Sequence, residues 1–178
     1  MKRSEYEMQC GKALEYYRRA GIVLTDAEKQ SVEVADFGLG CVEQVGLQLL
    51  TYINTERVCA KEMVLLPRQS CPEHRHVPSY GRDGKEETFR CRFGTVYLYV
   101  PGEGERENIQ GIIPPTDVTV FHEVVLHAGE QYTIYPGTLH WFQAGGEGAV
   151  ISEFSTTSTD ETDFFTDTRI VRAAKIED

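Results

Sequence analysis

The stretch Cys71-Pro72-Glu73-His74-Arg75-His76, answered further along by Pro136-Gly137-Thr138-Leu139-His140, decides how this chain folds. In an extended strand successive side chains alternate faces, so His74 and His76 point the same way, about 6–7 Å apart, while Arg75 points away. Two imidazoles on one face make half a metal site, and the remaining ligands have to come from elsewhere in the fold. His140, which follows a Pro-Gly turn, is one candidate. A carboxylate is available at Glu87, which opens the run Glu87-Thr88-Phe89-Arg90, and also at Asp83 and Glu86. Three imidazoles and one carboxylate with open positions suit Mn²⁺, Fe²⁺, Co²⁺, Ni²⁺ or Zn²⁺.

The surrounding texture is that of a β protein. From Gly38 onward, β-branched and aromatic runs alternate with Gly, Pro, Asn and Asp, which predicts strands at 42–53, 57–66, 87–100, 118–126, 131–135 and 149–155. Turns are expected at Pro67, Gly81 to Gly84, Pro101-Gly102, Pro114-Pro115, Gly129, Pro136-Gly137 and Gly145-Gly146. Many short strands separated by turns indicate an antiparallel sandwich or barrel. Ahead of them, Tyr6, Cys10, Ala13, Leu14 and Tyr17 recur at helical spacing, predicting a helix over 4–20 with Ser4 and Glu7 as capping box and Gly21 as its stop. Thr25 and Glu28 repeat the capping pattern, so a second short helix is expected over 26–35. No linker interrupts the sequence, so one domain is expected over 1–178, with a helical segment over 1–36 and a β-barrel over 38–172.

Composition narrows the function. With 28 acidic against 18 basic residues and a net charge of −10, the chain would repel a polyphosphate, which disfavours nucleic acid as a partner. No apolar run approaches the ~20 residues of a membrane span, and Met1 to Arg19 lacks the apolar core of a leader. Five cysteines without a C-x-x-C pair, an odd number, read as reduced thiols and a cytoplasmic location.

The two histidine blocks resemble the paired motifs of the cupin superfamily, G(x)₅HxH(x)₃₋₄E(x)₆G and G(x)₅PxG(x)₂H(x)₃N. The spacing departs from that pattern: ten residues separate His76 from Glu87, Pro136 and Gly137 are adjacent, and Ala144 replaces the final Asn. Longer strings, among them Cys71 to His76, Gly84 to Cys91, Tyr97 to Gly102, His140 to Gly145 and Ser152 to Thr156, resemble the D-lyxose isomerase family over roughly residues 40–170. The resemblance implies an all-β fold, a cupin-type antiparallel β-barrel (jelly roll) with N-terminal helices. It also implies a divalent ion, most often manganese, held by His74, His76, Glu87 and His140, and so selects Glu87 over its neighbours. It further implies a substrate-pocket lysine at Lys61 and glutamate at Glu153.

Both positions stand on parity as well. Lys61 alternates in step with Cys59, Met63 and Leu65, and Glu153 in step with Ala149 and Ile151, so each charge faces the core, where an unpaired ion is costly. Lys85, Trp141 and Phe142 are further candidates for binding a sugar, whereas Arg90 and Arg92 are expected to face outward. The implied reaction is aldose–ketose isomerisation of D-lyxose and D-xylulose, and of D-mannose and D-fructose, by proton transfer through a cis-enediol or by a hydride shift. Competing readings are a cupin phosphosugar isomerase, an iron-dependent cupin dioxygenase and a non-catalytic sugar-binding cupin. A monosaccharide substrate and a homodimer, paired through edge strands or the N-terminal helices, complete the expectation.

Overall fold

Two long strands organise the molecule, and each pairs along its length with three neighbours. The computed structural model describes residues 1–173 and 175–178. Its strands, in chain order, are β1 (Glu33–Ala35), β2 (Leu47–Asn54), β3 (Cys59–Leu65), β4 (Ser70–Arg75), β5 (Glu87–Val100), β6 (His122–His127), β7 (Gln131–Ile134), β8 (His140–Ser155) and β9 (Phe164–Phe165). One path of neighbours runs β1-β2-β3-β8-β4-β9, and β5 pairs with β6, β7 and β8. All the ladders are antiparallel. The first part of β8 lies between β4 and β5, and its second part between β3 and β5, so the sheet curls into the expected cupin-type barrel.

The curl is made at glycines. Register slips in the β5–β8 pair at Cys91/Phe93 and Gly94/Val96, where Gly94 takes φ +73°. A Cβ on Gly94 would strike the Gly148 carbonyl and could be admitted only by backbone movement, and one on Gly148 (φ +81°) would displace the Tyr16 ring. The expected turn at Gly145-Gly146 is therefore replaced by a bend inside one sixteen-residue strand. Elsewhere the strand starting at residue 131 stops one residue short of expectation, and 87–100 is a single strand as predicted. β4 was not among the predicted strands: it contains Pro72, which cannot donate to a ladder, and the register slips there, between Cys71 and His74.

Helix α1 (Arg3–Arg19) ends in Gly21 at φ +72°, with Gly21 N–H on Arg18 O and Ile22 N–H on Tyr17 O, a Schellman stop. Its start differs from expectation: the N-cap is Lys2, so Ser4 sits inside the first turn and caps nothing. Helix α2 (Asp26–Gln30) has its Thr25–Glu28 capping box but ends early, because Val34 and Ala35 are buried in β1 against β2.

Two apolar clusters result. Leu47, Leu49, Met63, Leu65, Phe89, Cys91, Phe142 and Ile151 fill the barrel, while Ala13, Tyr17, Leu50, Val64 and Val150 form a second core beneath α1. Strand β3 is thus buried on both faces, and its two charged residues, Lys61 and Glu62, are buried one on each face. Among the described residues no helix is long and apolar enough to cross a membrane.

Candidate metal centre and active site

The slip in β4 sets His74 directly opposite His140 of β8, cross-strand neighbours whose ring centroids are 4.2 Å apart. His76 lies one residue past the end of β4 rather than inside it, yet its ring still approaches both, at 5.1 and 5.3 Å. Glu87, the first residue of β5, completes the group, and one ligand atom from each of the four lies within 4.8 Å of the others. All four are buried.

Each imidazole is oriented through its Nδ1. His74 Nδ1 donates to Pro72 O at 2.8 Å and His140 Nδ1 to Thr138 O at 3.0 Å, while His76 Nδ1 meets Asp163 Oδ1 at 2.7 Å. That turns the three Nε2 atoms inward, His76 Nε2 to 3.0 Å from Glu87 Oε1, the arrangement by which outer partners fix metal-binding histidines. His140 Nε2 is buried 3.1 Å from Glu87 Oε1, without a well-directed hydrogen bond. Around the group stand the cations Lys61, Lys85 and Arg172 and the carboxylates Glu87, Glu153, Asp160 and Asp163. Three imidazoles and one carboxylate converging on one buried point fit a divalent ion. Replacing Asp163 by Ala is expected to weaken Mn²⁺ binding about 10–100-fold; an unchanged dissociation constant in titration calorimetry would show that His76 needs no such support.

Register brings the remaining chemistry into the same chamber. Lys61 of β3 pairs with Glu153 of β8, which pairs with Phe89 of β5, one row of inward-facing side chains. Glu153 accepts from Lys85 Nζ at 3.0 Å and Ser155 Oγ at 3.1 Å, with Lys61 Nζ 3.7 Å away. Lys85 also reaches Glu87 Oε2 at 2.8 Å and Asp160 at 3.2 Å, and Lys61 reaches Asp160 at 2.6 Å.

Burial alone would lower both ammonium pKa values, but the surrounding carboxylates raise them above the ordinary lysine range. Asp160 moves the opposite way: burial would raise it, and Lys85, Lys61 and Arg172 hold it well below the usual range. His74 is pushed well down by burial and by its two histidine neighbours. His76 would also be lowered by burial, but Glu87 and Asp163 raise it to about 9.

Most sequence-derived candidates converge here. Lys85 sits at the centre of the charge network, and Phe142 lines the chamber on the same face of β8 as His140. Trp141 does not: alternation turns it to the opposite face, where it stacks on Tyr99 at 3.8 Å and donates to Val120 O. Arg92 is exposed and Arg90 half-buried, with Arg90 bound to Gln131 across the sheet. The chamber also contains residues that pattern reasoning missed: Asp160, Asp163, Phe165 and Arg172, all from the chain after β8, and Phe37 from the loop before β2. No periodicity marks them, and only the density of Asp in 160–163 offered a signal.

Among solved structures, the chain is similar to the L-ribose isomerase of Geodermatophilus obscurus (TM-score 0.74, 15% identity, 99% of this chain and 98% of that one). It is likewise similar to that of Cellulomonas parahominis (TM-score 0.71, 16% identity, 95% and 94%). At that identity the likeness concerns the fold. A model of the D-lyxose isomerase family matches residues 104–178. Over nearly the full length, the chain is 56% identical to a protein of Thermosediminibacter oceani named D-lyxose/D-mannose isomerase, covering 100% of this chain and 99% of that one. It is also 56% identical to the D-lyxose ketol-isomerase of Cohnella laeviribosi, covering 99% and 98%. With its fold, its buried His₃Glu group and these relatives, the chain belongs to the D-lyxose isomerase family.

Proposed function

We propose that the whole chain, acting as one domain, is an aldose–ketose isomerase that interconverts D-lyxose with D-xylulose and D-mannose with D-fructose, with His74, His76, Glu87 and His140 as metal ligands and Mn²⁺ as the native ion. The observation that carries it is Glu153, a buried carboxylate that is not part of the four-ligand group yet shares its chamber. A divalent ion held there supplies Lewis-acid stabilisation of the negative charge that develops on O1 and O2 of the open-chain sugar.

The chain's own residues do the rest. Glu153 takes the proton from C2 of the aldose and returns it to C1, on one face of a cis-enediol. Lys61 and Lys85 flank it, hold the sugar hydroxyls and donate to oxygen as charge grows there. Phe89 and Phe142 exclude water from the reacting carbons. A hydride shift would leave Glu153 idle, and solvent deuterium at C1 of the ketose formed from the aldose separates the two routes: its incorporation excludes the hydride shift.

A phosphorylated sugar is disfavoured. Every cation in the chamber is already matched by a carboxylate, and Arg90 and Arg92 lie on the outer side of β5. The apolar outer row Ile53, Ala60, Phe154, with Ile53 and Phe154 about half exposed, supports a homodimer. Five unpaired cysteines fit a cytoplasmic location.

The deciding experiment strips the protein with EDTA and assays both sugars before and after Mn²⁺ is restored. Conversion is expected to vanish on stripping and to return with Mn²⁺. Failure of the reloaded protein to convert either sugar overturns the reading.

A further inference from the structure

The metal chamber and an outer cleft share a wall. Inside, the chain leaves about 30 Å³, room for a water or two and an order of magnitude below the ~300 Å³ at which small-molecule pockets begin. Outside lies a cleft of about 430 Å³ whose lining includes Thr51, Asn54, Ser158 and Glu161. Lys61, Asp160 and Arg172 line both spaces.

Asp160 is the centre of that wall. It accepts from Lys61 at 2.6 Å and Lys85 at 3.2 Å, lies 3.6 Å from Arg172, and receives the Ser158 hydroxyl at 2.5 Å. It stands at the start of a 3-10 turn, Asp160–Thr162, between β8 and β9. The segment that carries it, Thr156-Thr157-Ser158-Thr159-Asp160-Glu161-Thr162-Asp163, contains no apolar side chain. It is fastened by polar contacts: Asn54 Nδ2 to Ser158 O and Ser158 N–H to Asn54 Oδ1, both 3.0 Å, Ser79 Oγ with Thr159 Oγ1 at 3.0 Å, and His76 with Asp163. Apolar burial resumes only at Phe165. The contacts at Asn54 and Ser79 are exposed or part-buried and replaceable by water at small net cost, unlike the buried apolar area that fixes the barrel on either side, so the buried ion pairs of Asp160 and Asp163 are what an opening has to break.

We propose that residues 156–163 form a polar lid latched by Asp160, and that the sugar passes from the outer cleft into the metal chamber when Asp160 releases Lys61, Lys85 and Arg172. This inference rests on the isomerase reading above. On opening, the two ammonium groups exchange a carboxylate for sugar hydroxyls, so the charges that hold the lid shut are those that receive the substrate. Asp160 is thus a positioning residue, acting on the reaction through the lysines and the lid.

The test is a clasp. The hydroxyls of Ser79 and Thr159 already touch, so the pair Ser79→Cys and Thr159→Cys can be oxidised across the lid while leaving every proposed ligand and catalytic group intact. In the oxidised, Mn²⁺-loaded protein, D-lyxose conversion is expected to fall at least about 50-fold and loss of Mn²⁺ to EDTA to slow about tenfold, both restored by dithiothreitol. A cross-linked protein that isomerises as fast as its reduced form overturns the lid. If the reduced form converts neither sugar, the isomerase reading has failed, and the EDTA rate alone decides: an unchanged rate on oxidation overturns the lid, a slowed one supports it. Should the cross-link not form, Asp160→Asn is expected to speed Mn²⁺ loss to EDTA about fivefold or more; a rate equal to the parent's overturns the latch.

Discussion

Glu153→Gln is expected to lower kcat for D-lyxose by about 10²–10⁴-fold, the range by which a positioned general base accelerates proton transfer, while Mn²⁺ content and KM change little. Glutamine keeps the shape and can still accept from Ser155 and Lys85, so the barrel row Lys61–Glu153–Phe89 should stay packed. What it cannot do is take a proton from carbon. The retained metal is what gives the experiment its force, since Glu153 lies outside the four-ligand group and its loss should not disturb those atoms. The residual activity should also carry no solvent deuterium into C1 of the D-xylulose formed beyond the uncatalysed rate. A variant within tenfold of the parent's kcat would remove Glu153 from the mechanism, and one that also loses its Mn²⁺ would place it among the ligands instead.

The groups that do this chemistry differ in how far they could be read from sequence, and the difference has a physical cause. His74 and His76 declare themselves as an H-x-H pair, and Lys61 and Glu153 through the two-residue period of a strand, because each shares its row with apolar residues. β5 was legible because β-branched and aromatic residues recur from Glu87 to Val100 on both sides of Gly94. β4 and the first half of β8 were not, since each carries a residue that ordinarily ends a strand: Pro72 in one, Gly145-Gly146 in the other. In the barrel these residues mark bends and slips, and the slip at Pro72 is what sets His74 opposite His140. Trp141 was misplaced by adjacency, because a residue next to a ligand on a strand points away from it. Asp160, Asp163 and Arg172 obey no local period; topology alone returns the chain after β8 across the mouth of the barrel, and only the folded molecule shows that its acids meet His76 and the two lysines.

Glu87→Gln should have the widest consequences, for metal and for stability together. The Glu87 carboxylate is 2% exposed and lies 2.8 Å from Lys85, 3.0 Å from His76 and 3.1 Å from His140. As the one anionic member of the ligand group it should dominate the attraction for a divalent ion, so Mn²⁺ affinity is expected to drop by more than about 100-fold, beyond the cost of losing an outer partner. In the metal-free protein the substitution also leaves Lys85 and His76 short of a counter-charge in a buried site, an expected cost of about 3–5 kcal/mol at neutral pH. The sign of its pH dependence follows from the direction of the shift. Burial would raise the Glu87 pKa, but Lys85 and His76 hold it well below its ordinary value. A carboxylate depressed on folding contributes stability that is complete above its unfolded pKa of about 4.3 and is lost as pH falls below that toward the folded value. The stability gap between parent and variant should therefore be widest at pH 7 and narrow progressively below about pH 4, where the unfolded chain takes up a proton that the folded chain resists. Urea unfolding of the two metal-free proteins at neutral and acid pH measures it. Equal stability at pH 7 together with unchanged Mn²⁺ binding would mean that the carboxylate neither holds the cation nor balances the buried charges around it.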